Sequence, residues 1–258
     1  MKYKFVLLGS GGAPGVPSLS NGWGNCNPDN PKNIRLRSSA CLKYDGTTVL
    51  IDTSPDLRTQ LLRADIRMAD AVLYTHAHAD HLHGIDDLRE INRISGKSLD
   101  FYAAPETAKV IKERFPYLIS AGYDCTHPNL TPHEVLCNQS FLIGKLKVTP
   151  IRLHGHNVPS VGYVFNDGEV VYLADYRHID KSAFEHITRP VKLMVAPLTT
   201  IEGTSYHASL PDVLADIAAL QPERAVLGHM ASECDYDEVM RLTPDNVEPG
   251  FDNMTIEF

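Results

Sequence analysis

One stretch restricts the fold more than any other. The apolar run Ala71–Tyr74 passes straight into Thr75-His76-Ala77-His78-Ala79-Asp80-His81. A short apolar run bounded by polar residues reads as a buried strand. A buried strand that ends on clustered histidine and aspartate must end at a sheet edge, where α/β proteins place their sites. The two histidines at i, i+2 project from extended backbone, and Asp80-His81 turn into the next helix. Histidine nitrogens and carboxylate oxygens are donors for Zn²⁺, Mn²⁺ or Fe²⁺. The plain alternative is a His-rich surface turn, and His83 nearby shows that not every histidine here need bind. So dense a set of donors directly after an apolar strand favours a metal centre.

The rest of the chain supplies an α/β context. Apolar runs at 3–8, 39–44, 48–51, 101–103, 140–143, 146–153, 161–165, 170–174, 193–196, 225–227 and 254–258 read as strands. Asp45-Gly46 is a hairpin signal. Helical patterns lie near 56–64, 84–94, 105–115, 181–187, 210–220 and 235–242. Residues 16–38, rich in Asn, Pro and Gly, read as a long loop, and 116–140 as irregular. Gly9-Ser10-Gly11-Gly12-Ala13-Pro14-Gly15 is a glycine-rich turn, but Pro14 stands where a dinucleotide fingerprint needs glycine and no helix follows. Strands and helices alternate in both halves with no linker between. The expected architecture is one domain, residues 1–258, of two sheet-and-helix halves.

Composition narrows the function classes. The 258 residues are 43% hydrophobic and 22% charged, which excludes a disordered or collagen-like chain. Lys and Arg number 24 against 32 Asp and Glu, a formal net charge of −8, which counts against a nucleic-acid partner. The five cysteines (Cys26, Cys41, Cys125, Cys137, Cys234) form no C-x-x-C pair and read as reduced thiols of a cytoplasmic protein. The apolar run 5–8 is too short for a signal peptide, and no stretch approaches a membrane span. A homodimer is left open.

Other strand ends carry matching donors: His154-Gly155-His156, Asp175 and His229. Each alone is weak, since a single strand-end histidine or aspartate is commonly structural. Together with the first cluster they would hold two metals about 3.5–4 Å apart around a shared carboxylate. His154 and His156 compete for one place, and His154, nearest the strand end, is the expected ligand.

With these residues in view, the chain resembles the metallo-β-lactamase superfamily, whose signature is the His76-x-His78-x-Asp80-His81 run. The resemblance extends through Asp175, His229 and Gly250-Phe251-Asp252-Asn253-Met254. Within the superfamily it is most similar to the phosphoribosyl 1,2-cyclic phosphate phosphodiesterase branch. The supporting stretches are Leu8-Gly9-Ser10-Gly11-Gly12-Ala13, Arg37-Ser38-Ser39-Ala40, Val161-Gly162-Tyr163 and His207-x-Ser209-Leu210. The resemblance implies a four-layer αββα sandwich of two mixed sheets flanked by helices. It implies that His76, His78 and His154 bind a first divalent ion, Zn or Mn. Asp80, His81 and His229 would bind a second, with Asp175 bridging. It makes His207 a candidate general acid, and Asp80 and His207 the catalytic pair. Asp52 falls where the fold has a carboxylate behind the ligands, though a turn or helix cap explains it equally well. That branch also carries a cysteine cluster for a structural zinc, whereas this loop holds only Cys26, and Ser232 lies near the position of the matching histidine.

The implied activity is hydrolysis of a small cyclic phosphodiester by a metal-bridging hydroxide. Arg35, Arg37, Ser38 and Ser39 are candidate contacts for the phosphate or sugar, with a solvated basic face favoured for both arginines. The rival readings are a tRNA 3′-end endonuclease, a thioester hydrolase, an exported β-lactamase and a metal-binding protein without turnover. The charge balance counts against the first, and the complete donor set against the last.

Overall fold

The computed structural model describes residues 3–119 and 128–258. The first half supplies β1 (Tyr3–Gly9), β2 (Ser39–Tyr44), β3 (Thr47–Ile51), β4 (Ala71–Tyr74), β5 (Leu99–Ala103) and β6 (Leu130–Glu134). The second supplies β7 (Phe141–Ile143), β8 (Leu146–Leu153), β9 (Ser160–Phe165), β10 (Val170–Tyr172), β11 (Leu193–Pro197), β12 (Arg224–Gly228) and β13 (Val247–Pro249). The last strand, β14 (Met254–Glu257), returns to the first half and pairs antiparallel with β1. Two seven-stranded sheets result, in the orders β14-β1-β2-β3-β4-β5-β6 and β13-β12-β11-β10-β9-β8-β7. Both are mixed. β3 to β6 run parallel, as do β10 to β13, while the hairpin strands pair antiparallel.

Period-two alternation sets the layers. In β1, Tyr3, Phe5 and Leu7 join the cluster between the sheets, with Leu73, Tyr163, Val195 and Val226. Val6 and Leu8 face the other way, against α1 (Leu57–Arg63), α3 (Arg89–Ser95) and α4 (Pro105–Arg114). On the far side, Val171, Met194 and Ala225 pack against α5 (Leu210–Leu220) and α6 (Tyr236–Leu242). This is the expected αββα arrangement. The two sheets are also tied across the interior, where the buried Tyr163 hydroxyl donates to the Tyr74 carbonyl at 2.7 Å.

Several elements differ from expectation. Residues 116–140 contain β6, an edge strand parallel to β5, masked in the sequence by Pro132 and its polar neighbours. Proline is tolerated on an edge, where its missing N–H faces no partner. Cys125 lies outside the described residues. The pattern at 84–94 divides into a 3₁₀ turn, Ile85–Leu88, and the short α3. The helix expected at 181–187 is a 3₁₀ segment, Lys181–His186. β10 stops at Tyr172, so Asp175 lies three residues beyond the strand. Among the described residues, no helix is long and apolar enough to cross a membrane.

Candidate metal centre

The strands β3, β4, β8, β10 and β12 all run out at one end of the sandwich, and their following residues meet there. β4 continues as extended Thr75–His78 and then as α2 (Ala79–Leu82), which carries Asp80 and His81. Asp52 follows β3 with φ +60°, and His229 follows β12 with φ +54°. Side-chain-bearing residues rarely adopt this left-handed region, and it is found where a site over-determines the backbone. At Asp52 it turns the carboxylate back under the cluster. Asp52 Oδ1 accepts from the Thr75 N–H at 2.8 Å, and Oδ2 accepts from the Thr75 hydroxyl and from His81 Nδ1, each at 2.7 Å.

Two donor groups form. His76 Nε2 and His156 Nε2 lie 3.2 and 3.1 Å from His78 Nδ1, and Asp175 completes the first group. The second is Asp80, His81 and His229, with His81 Nε2 and His229 Nε2 3.4 and 3.3 Å from Asp80 Oδ2. Asp175 stands between them. Its Oδ2 is 3.8 Å from His76 Nε2, 3.7 Å from His81 Nε2, 3.9 Å from His156 Nε2 and 3.2 Å from His229 Nε2. His207 approaches from the more open side, its Nε2 3.7 Å from the same oxygen.

The donors fit cations. A tetrahedral ion with metal–nitrogen bonds of about 2.0–2.1 Å separates its ligands by about 3.3 Å, close to the spacing of the first group. The imidazoles of that group are kept neutral, with lone pairs available. Burial holds His76 well below its ordinary range, lowers His78, and pushes His156 down to about 4. Burial alone would raise Asp175, but His229, His207 and His81 around it hold it well below the usual carboxylate range. Asp80 is held down in the same way, chiefly by His81 and then His229. Burial would lower His81 and His229, yet their carboxylate neighbours keep both raised. Buried His81 Nε2 and Asp175 Oδ1 have no hydrogen-bond partner among the described residues. A bound cation would satisfy both.

Of the sequence candidates, His76, His78, Asp80, His81, Asp175, His207 and His229 come together here. His154 does not, which corrects the expected choice. It forms an isolated bridge with His178, stacks on that ring at 5.4 Å, and lies 3.0 Å from Asp180 through its Nε2. Gly155 then turns at φ +79°, where a Cβ would meet Arg177 Cβ at 2.5 Å, and the turn delivers His156 to the cluster. His83 stays outside, against Phe115. Neither arginine forms a solvated basic face. Arg35 is buried and donates to the Cys234 and Ala231 carbonyls, and Arg37 is paired with Asp56 at 2.7 Å. Ser38 and Ser39 donate to the backbone carbonyls of Gly11 and Asp52. The residues that sequence reasoning missed are the ones behind the ligands: Thr75, Thr199, Thr204 and the Tyr206 carbonyl, which meet the outward nitrogens of His76, His229, His207 and His156. Only Thr75, adjacent to its histidine, carried a sequence signal.

Comparison with known proteins agrees with this arrangement. A family described as the Beta-lactamase superfamily domain matches residues 47–230. A solved diphosphatase from the PhnP family is 29% identical, with a TM-score of 0.90 over 100% of this chain and 98% of that one. An octanoyltransferase of Porphyromonas gingivalis is 30% identical over 251 residues, 96% of this chain and 50% of that protein. A ribonuclease Z of Methanococcus aeolicus is 28% identical over 109 residues, 41% of this chain and 33% of that protein. The chain thus spans half or less of the length of these curated relatives. The matched span opens at β3 and closes just past His229, so it holds every donor of the centre. The chain belongs to the metallo-β-lactamase superfamily.

Proposed function

We propose that the protein is a metal-dependent hydrolase of a small phosphodiester, with a cyclic diester of the 5-phosphoribosyl 1,2-cyclic phosphate or 2′,3′-cyclic nucleotide type as its substrate. One observation carries the reading: the Asp175 carboxylate completes one donor group and lies 3.7 and 3.2 Å from His81 and His229 of the other. His76, His78, His156 and Asp175 would hold one divalent ion, zinc or manganese, and Asp80, His81, His229 and Asp175 the other. Such a pair supplies a water of lowered pKa and offsets charge on phosphoryl oxygens in the transition state. The chain's own part is orientation. Asp52 holds His81 directly and His76 through Thr75, and the Tyr206 carbonyl holds His156. Asp80, its Oδ2 3.4 Å from His81 Nε2 and 3.3 Å from His229 Nε2, would help hold the second ion and orient a water there. His207, its side chain 19% exposed, serves the leaving oxygen from the open side. The described free thiols, three of them buried, support a reduced, cytoplasmic setting.

A second reading, cleavage of a diphosphate linkage, is favoured by the diphosphatase relative and uses the same groups. The test is a panel containing ribose 1,2-cyclic phosphate, 2′,3′-cyclic nucleotides, bis-p-nitrophenyl phosphate, a diphosphate diester and pre-tRNA, assayed with zinc and with manganese. Cyclic diesters should be the best substrates, and H76A and D80A should each lower turnover about 10²-fold or more. Turnover untouched by both substitutions overturns the proposal. Preference for the diphosphate selects the second reading, and preference for pre-tRNA selects an RNA hydrolase.

A further inference from the structure

The imidazoles of the centre differ in what their outward nitrogen meets. His81 Nδ1 lies 2.7 Å from the Asp52 carboxylate, and His156 Nδ1 lies 3.3 Å from the Tyr206 carbonyl oxygen. An ionised carboxylate and a carbonyl only accept. His76 Nδ1 lies 3.0 Å from the Thr75 hydroxyl, whose own proton goes to Asp52 Oδ2, so this hydroxyl accepts as well. In all three Nδ1 carries a proton, which leaves Nε2 as the nitrogen that faces the centre. That is the arrangement of a metal-ligating histidine with an oriented tautomer.

His207 is wired the other way. Its Nδ1 lies 3.0 Å from Thr204 Oγ1, which already accepts the backbone N–H groups of Tyr206 and His207, each at 3.1 Å. A hydroxyl has two lone pairs and one proton. Both lone pairs face donors that cannot reverse, so the one remaining proton points at His207 Nδ1. That nitrogen accepts, and the imidazole's own proton sits on Nε2. The turn that creates this geometry is specific. Gly203 adopts φ +73°, where a Cβ would meet Ser209 N at 2.7 Å, and the Thr204 N–H closes onto the His207 carbonyl at 3.0 Å.

We propose that Thr204 is a positioning residue that locks His207 as an Nε2–H hydrogen-bond donor. The lock matters because His207 Nε2 lies with Asp175 and His229 in a group that could itself hold a cation. With its proton on Nε2, His207 cannot ligate through that nitrogen. It stays available to hydrogen-bond the leaving oxygen of a substrate. The role toward the leaving group rests on the phosphodiesterase reading, and the tautomer does not.

The experiment uses the full-length, zinc-loaded protein with ¹⁵N-labelled histidine. Long-range proton–nitrogen spectra are recorded at alkaline pH, with His207 assigned through His207→Gln. Wild type and Thr204→Ser should show an unprotonated His207 Nδ1. Thr204→Asp, which can only accept, should show a protonated one. A protonated Nδ1 in wild type, or an unprotonated one in Thr204→Asp, overturns the lock. In turnover at the same alkaline pH, where the ring is neutral, Thr204→Asp should lower hydrolysis of a cyclic alkyl phosphodiester about tenfold more than that of bis-p-nitrophenyl phosphate, whose leaving group needs little help. Thr204→Ser should keep the wild-type ratio. Equal losses on both esters overturn the leaving-group role. If wild type cleaves neither ester, the phosphodiesterase reading fails while the Nδ1 signal still decides the lock.

Discussion

Asp52 illustrates how much of the centre depends on a fully buried side chain behind the donors. Its two oxygens take three donors, and through them it sets the tautomers of His76 and His81. Replacing it with asparagine keeps the size but removes the charge that holds the His81 Nδ1 proton. D52N should bind zinc about 10- to 100-fold more weakly, measured by chelator competition. Unchanged affinity would make Asp52 a turn residue only. His154 and His156 give a sharper comparison. H156A should lose metal and about 10²-fold in turnover, whereas H154A, set against His178 and Asp180, should stay within a few-fold of wild type. The reverse ranking would return His154 to the centre. This choice was not legible in the sequence, because both histidines follow β8 and only the left-handed turn at Gly155 decides which one reaches the cluster. Arg35 was misread for a related reason. A buried guanidinium answered by backbone carbonyls has no sequence signature.

Elements were legible where period and length agreed. β1 to β5, α1, α4, α5 and α6 fall close to their apolar patterns, whereas β6 hides behind Pro132 and the 3₁₀ segments mimic helices. The long loop at 16–38 shows what organises a segment with no pattern of its own. Its inner end is held by Asp235, the N-cap of α6. Asp235 Oδ1 accepts from the N–H groups of Asp237 and Glu238, and Oδ2 from the Asn27 N–H and the Asn33 amide. Burial alone would raise this carboxyl, but these donors hold it below its ordinary 3.8. Its contribution to stability is therefore complete above pH 3.8 and is lost as pH falls through the lower, folded value. D235N keeps the cap's shape but removes the charge these donors meet, and should unfold more easily at neutral pH by roughly 1 kcal/mol. The gap from wild type should close in urea melts run below pH 3.8. A gap that widens with acid would contradict the assignment.

At the scale of the molecule, two sheets of similar build meet so that their strand ends share one rim. The alternation of strands and helices in both halves made the layers readable, and the strand-end donors made the rim readable. The pairing of β14 with β1, which closes the first sheet, was not legible, because partner choice over that separation follows from packing between the sheets. The central claim is that this rim brings two cations to one carboxylate. It is tested most directly by anomalous diffraction from zinc-soaked crystals. The account predicts two peaks about 3.5–4 Å apart on either side of Asp175. One should be bound by His76, His78 and His156, and the other by Asp80, His81 and His229. A single peak, or a peak seated on His154 and Asp180 instead, would contradict it.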